Sequence, residues 1–166
     1  MPLLAEVKRP MRTRITIIHV IFPLVIGSLI YIFFRPTSLR VFKWIDFVGI
    51  RNGIESLRSY FSPIDKYIPI WVRFSLPDSL WVYSFTSSML IVWHDEIKIG
   101  KYLLLVPLFL GCLLELAQSV KVFPGTFDIM DLFLNVTGFI LSIVLLKPTY
   151  NEKEKSNTSF KHYNNC

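Results

Sequence analysis

A chain of 166 residues with 52% hydrophobic and 15% aromatic side chains holds one domain, and it is more apolar than a soluble domain of that size needs. Its 18 basic residues outnumber 12 acidic ones, but they flank apolar runs, so anionic lipid headgroups are the simpler partner and a nucleic-acid binder is excluded. Cys112 inside an apolar run and Cys166 at the last position exclude a disulfide framework and a thiolate metal site.

The first segment, Met1 to Arg14, carries Lys8, Arg9, Arg12 and Arg14 against one acid, Glu6, and such a cluster before an apolar run marks the cytoplasmic side. A first span is predicted over 15–34, bent or closely packed at Pro23 and Gly27. It is longer than the core of a signal peptide and no small-residue cleavage site follows, so it is expected to stay as an anchor. His19, one turn in, reads as a packing or hydrogen-bonding residue, since no carboxylate lies nearby in sequence.

Pro36 ends that span, and the connection 37–76 is too long and aromatic for a plain loop. Within it Ile50, Ile54, Leu57 and Phe61 share one helical face while Arg51, Glu55, Arg58 and Ser62 fill the other. An interfacial amphipathic helix is therefore predicted within 37–62, ended by Ser62-Pro63, followed by an interfacial piece from Tyr67 to Phe74. A second span is predicted over 76–93, with Asp78 placed to cap it and Thr86, Ser87 and Ser88 giving small positions for helix contact. The His94-Asp95-Glu96 run offers no second histidine at helical spacing and reads as a solvated loop; no metal site is assigned. Spans three and four are predicted over 102–120 and 129–146, joined by a Pro124-Gly125 reversal, and Lys147-Pro148 ends the last. Residues 149–166 are polar and free of apolar periodicity, so a disordered tail is expected, and its Asn157-Thr158-Ser159 acceptor triplet carries no weight. The predicted class is all-α: a membrane bundle of four transmembrane helices plus one interfacial helix.

The chemistry concentrates in 113–138. Glu115 and Gln118 are three apart at the end of span three. Asp128, Asp131 and Asn135 fall at i, i+3 and i+7 at the start of span four, the outer two only about 20° apart around a helix axis. A carboxylate near the middle of a membrane helix costs about 2.5–3.5 kcal/mol on insertion scales, so such side chains face a protein interior, a polar cavity or a partner. A hairpin would set both polar faces at one depth. The alternative is that Gln118 and Asn135 hydrogen-bond two helices while Asp128 and Asp131 cap the second.

The order Glu115, Gln118, Asp128, Asp131, Asn135, Gly138 resembles the signature of the VanZ-like family, bacterial membrane proteins named after a teicoplanin-resistance accessory protein, over roughly 76–146. The chain departs from that pattern where Gly125 stands at a position usually arginine, and where an aspartate, histidine, tyrosine motif is met only by Asp78, with Val82 and Thr86 at the other places. The resemblance implies a multi-pass protein of the bacterial cytoplasmic membrane with an envelope role linked to glycopeptide resistance.

With a cytoplasmic amino terminus, four spans return the tail to the same side, where ten basic residues then lie against eight outside. Asp78, Glu115, Gln118, Asp128 and Asp131 would then surround an outward pocket, Asn135 deeper, bordered by Arg73 and Lys121. Crowded carboxylates in low dielectric predict a retained proton, a bound cation, or pairing with those bases. Such a cleft suits the polar head of a lipid-linked cell-wall precursor or the amine of a glycopeptide. Any chemistry would be acid or base work by Glu115 with Asp128 or Asp131, directly or through a hard divalent cation; no cofactor is specified. A non-catalytic structural or partner-binding subunit is the second reading. Transport is the third, lacking a through-path because only His19 and His94 lie toward the other face.

Overall fold

The computed structural model describes residues 13–37, 40–93, 97–122 and 127–163. The basic cluster at 8–12, the His94-Asp95-Glu96 run and the Pro124-Gly125 turn lie outside them. Seven helices, and no strands, make up the described residues: α1 (Thr13–Phe34), α2 (Arg40–Val48), α3 (Arg51–Asp65), α4 (Ile70–Phe74), α5 (Leu76–Val92), α6 (Ile97–Ser119) and α7 (Ile129–Tyr163). Three segments are long and apolar enough to cross a membrane: α1, Tyr102–Ser119 of α6 and Ile129–Leu146 of α7.

Burial is inverted relative to a soluble protein. Phe109, Phe133, Ile140 and Val144 point outward, whereas Ser84, Thr86, Ser87, Asn135 and Ser142 are buried. A bundle whose solvent is hydrocarbon has no need to hide leucine and phenylalanine, and it gains by turning polar groups inward. Helix α5 has the position of a core. It packs on α1, α6 and α7, and its inner positions are Pro77, Ser79, Val82, Ser84, Thr86, Ser87 and Ile91. Its run against α1 is antiparallel along the whole length: Gly27 meets Pro77 and Trp81, His19 hydrogen-bonds Tyr83, and Ile15 clusters with Ile91 and Leu146.

Three glycines set how near the helices come. A Cβ on Gly138 would lie 2.7 Å from the Ser79 carbonyl oxygen, and at this crossing the Ser79 hydroxyl donates across the interface to the Leu134 carbonyl at 2.6 Å. A Cβ on Gly111 would sit 3.1 Å from the Asn135 amide nitrogen, and one on Gly27 3.2 Å from the Pro77 carbonyl oxygen. Pro23 explains a wide turn in α1. Its ring excludes the carbonyl four residues back, and the preceding Ile17–Ile21 stretch is π-helical, with the Phe22 amide reaching the Ile17 carbonyl.

Three expectations about the periphery change. The connection after α1 forms three helices, not one, with a turn at Gly49 (φ 76°) between α2 and α3. Helix α3 runs through Pro63 to Asp65, because a proline in the last turn forfeits only one amide bond. The apolar segment ends at Leu146 as expected, but its helix does not stop at Lys147-Pro148: α7 continues to Tyr163, so residues 149–163, expected to be disordered, are helical. Lysine and glutamate are good helix formers, and a helix already nucleated in the bundle extends through them at little cost.

Candidate functional site

The site is built where α6 ends and α7 begins. Helix α6 closes before Pro124, in a double-bonded cap: the Val122 amide reaches the Ala117 carbonyl at 2.9 Å and the Lys121 amide reaches the Gln118 carbonyl at 3.0 Å. Lys121 occupies the left-handed position of that cap (φ 59°), where glycine is usual. Past it, the Asp128 carboxylate accepts the Met130 amide at 2.9 Å and caps α7, as the alternative reading of this residue has it. Its own amide points at Glu115, donating to Oε2 at 3.4 Å.

Glu115 and Asp131 come together from facing helices. They are 6% and 8% exposed, and the two carboxyl groups lie near enough for each to feel the other's charge. Asn135, 2% exposed, lies one turn deeper beside Gly111. Asp131 Oδ1 and Asn135 Oδ1 are both buried and accept no hydrogen bond. Buried Ser75, Thr86 and Ser87 hydroxyls are also unpaired, but at the junction of α6 and α7 the open atoms are acceptors beside two carboxylates, a place that calls for a donor. Among the described residues no group of three histidine, cysteine or acidic side chains is arranged to hold a metal.

The other predicted residues divide. Asp78, at the first turn of α5, lies close enough to Asp131 and Glu115 to feel their charge. Asp128 is exposed at the rim, and Gln118 is half-buried with its carbonyl engaged in the cap. Arg73 does not face the acids: its guanidinium meets Asp65 at 2.8 Å. Lys121 is exposed beyond the end of α6, its direction set by the cap.

The cation that does reach the cluster is Arg35, which sequence reasoning missed. It stands just past α1, 17% exposed, and donates to Asp78 Oδ2 at 2.9 Å and to the Phe74 carbonyl, with its guanidinium near the rings of Tyr31 and Phe74. The pair is 43 residues apart in sequence and has no local spacing signal. The one clue was an arginine directly following an apolar span, next to a proline. Arg35 gives the acid cluster a fixed positive charge. Comparison with family models, curated proteins and solved structures gives no match.

Proposed function

We propose that this is a four-span membrane protein of the bacterial cell envelope whose Glu115, Asp131 and Asn135 bind the donor-rich polar head of a lipid-linked cell-wall precursor. The observation that carries the reading is the pair of buried, unmet acceptors, Asp131 Oδ1 and Asn135 Oδ1. A ligand supplying hydroxyl or ammonium hydrogens would fill that gap, while a phosphate or carboxylate would be repelled by Glu115. The outward apolar surface beside the site, from Leu116, Ile129 and Phe133, suits an acyl or polyprenyl tail in the bilayer. The likeness to VanZ-like proteins supports an envelope role linked to glycopeptide resistance, and Arg35–Asp78 fixes the acidic wall from behind.

Helix α5 serves as the fourth span in this reading. Its 17 residues cover about 25 Å at 1.5 Å each, at the short end for a hydrocarbon core of about 30 Å, and it runs beside α1 from end to end. With both termini cytoplasmic, the site opens outward.

Glu115→Gln and Asp131→Asn test the site. Both keep shape and remove one acid, so insertion and expression are expected to match the parent while survival against glycopeptides falls to that of cells lacking the protein. A second reading, in which the cluster only joins helices, is favoured by the close seating of Asn135 against Gly111. Unchanged survival with both variants would establish that second reading.

A further inference from the structure

Away from the acid cluster, a cavity of about 250 Å³ opens between the end of α1 and the face of α3, lined by Phe33, Phe34, Arg58, Ser59, Phe61, Ser62 and Asp65. Its depth is fixed by the chain. Phe33 and Phe34 are the last residues of an apolar, membrane-length helix, so the cavity lies at the level where hydrocarbon gives way to headgroups. Helix α3 brings the polar groups to that level, and Phe61 holds it there by packing on Phe33 with ring centroids 5.1 Å apart.

The charges within the cavity are unevenly matched. Arg58 donates to the Ile32 carbonyl and, at 2.8 Å, to the Arg35 carbonyl, and its guanidinium lies over the Phe42 ring. Those bonds cap the end of α1 and fix the guanidinium in place, yet no carboxylate lies within ion-pair distance of it among the described residues. Arg35 and Arg73 each have one, and Arg51 has two. Burial pulls the Arg58 pKa down while Asp65 and Glu55 pull it up, and arginine stays charged through such shifts. Asp65 has one oxygen held by Arg73 at 2.8 Å, which leaves its second oxygen for another donor. Ser59 and Ser62 add hydroxyls.

We infer that this cavity binds the zwitterionic headgroup of a membrane phospholipid, with its phosphate on Arg58 and its ammonium toward Asp65 and the phenylalanine rings. A fixed cation without a counter-anion suits a phosphodiester, and a half-paired carboxylate beside aromatic rings suits the ammonium a few atoms away. The volume is below the roughly 300–1,000 Å³ of sites that enclose whole drug-sized ligands, which fits a headgroup whose tails stay in the bilayer. The role is to anchor α3 on the membrane surface and so hold α1 in register.

The full-length protein in detergent, titrated with short-chain phosphatidylethanolamine, phosphatidylcholine and phosphatidylglycerol and followed by native mass spectrometry, tests the assignment. The two zwitterionic lipids are expected to bind about tenfold more tightly than the glycerol lipid, with Asp65→Asn abolishing that preference. Ser62→Phe fills the cavity without touching a charge and is expected to weaken binding by about tenfold or more, and it decides the matter if Arg58→Gln fails to fold. Equal binding of phosphatidylglycerol by the parent, or undiminished binding by Ser62→Phe, overturns the proposal. So does soluble phosphoethanolamine binding as tightly as the lipid, which would identify a free phosphate ester as the occupant.

Discussion

At the scale of single residues, Gly138 and Gly111 look alike in sequence and differ in what surrounds them. An alanine methyl at 138 would meet a backbone carbonyl at 2.7 Å, so α5 and α7 must move apart. At 111 the nearest atom, 3.1 Å away, belongs to the side chain of Asn135, which can turn. Gly138→Ala is expected to cost about 1–3 kcal/mol, the usual penalty of overpacking, and Gly111→Ala less than half of that. Thermal unfolding of the two variants in the same detergent checks the order; equal losses would show that the α5–α7 crossing yields easily. The same scale shows how far sequence reading reaches. Glu115, Asp131 and Asn135 were legible because an ionisable or amide group inside an apolar helix has few places to go, and helical spacing shows which share a face. Lys121 and Arg73 were assigned by proximity along the chain, and in the fold one is exposed in the cap after α6 with no ion pair to the acids among the described residues and the other is taken by Asp65.

At the scale of elements, the ends of α1, α4 and α5 are tied by one side chain. Arg35 links the last turn of α1 to the Phe74 carbonyl and to Asp78, and Arg58 of α3 covers the carbonyls of Ile32 and Arg35 from the other direction. Removing one partner of a half-buried pair leaves the other charge without compensation, which costs more than removing both. Arg35→Met is therefore expected to lower stability by about 2–3 kcal/mol, and Arg35→Met with Asp78→Leu to recover at least half of it. The measurement is a double-mutant cycle from unfolding in detergent, and additive losses would mean that the two residues do not act as a pair. Element types were readable where the apolar period was long, as in α1 and α7. The amphipathic pattern over 50–62 found α3 but not its neighbours, because α2 is a separate nine-residue helix cut off from α3 at Gly49 and α4 is only five residues long. The tail was misread because a polar composition lacking apolar periodicity marks disorder only when nothing before it nucleates a helix.

At the scale of the whole molecule, a helix lined with serines and a threonine stands in the middle. Hydropathy measures what a helix shows to lipid, and α5 shows little, since its neighbours α1, α6 and α7 take the lipid contact and leave it serines and threonines. At 17 residues α5 is also shorter than the three segments that are long and apolar enough to cross. Its antiparallel run beside α1, from Gly27 against Pro77 to Ile15 against Ile91, spans the same thickness as a partner that is long and apolar enough. If α5 crosses, the exposed residues Asn52 on α3 and Val122 after α6 lie on one side of the membrane; if it does not, they lie on opposite sides. With Cys112 and Cys166 replaced by serine, single cysteines at 52 and 122 are expected to react with an impermeant maleimide on intact cells to the same extent. Labelling of 52 alone would leave three crossings, and the acid cluster of α5, α6 and α7 would then face the cytoplasm at one end of a hairpin pair. Equal labelling from outside places Glu115 and Asp131 under the outer leaflet, the face on which extracellular glycopeptides and exported wall precursors are met.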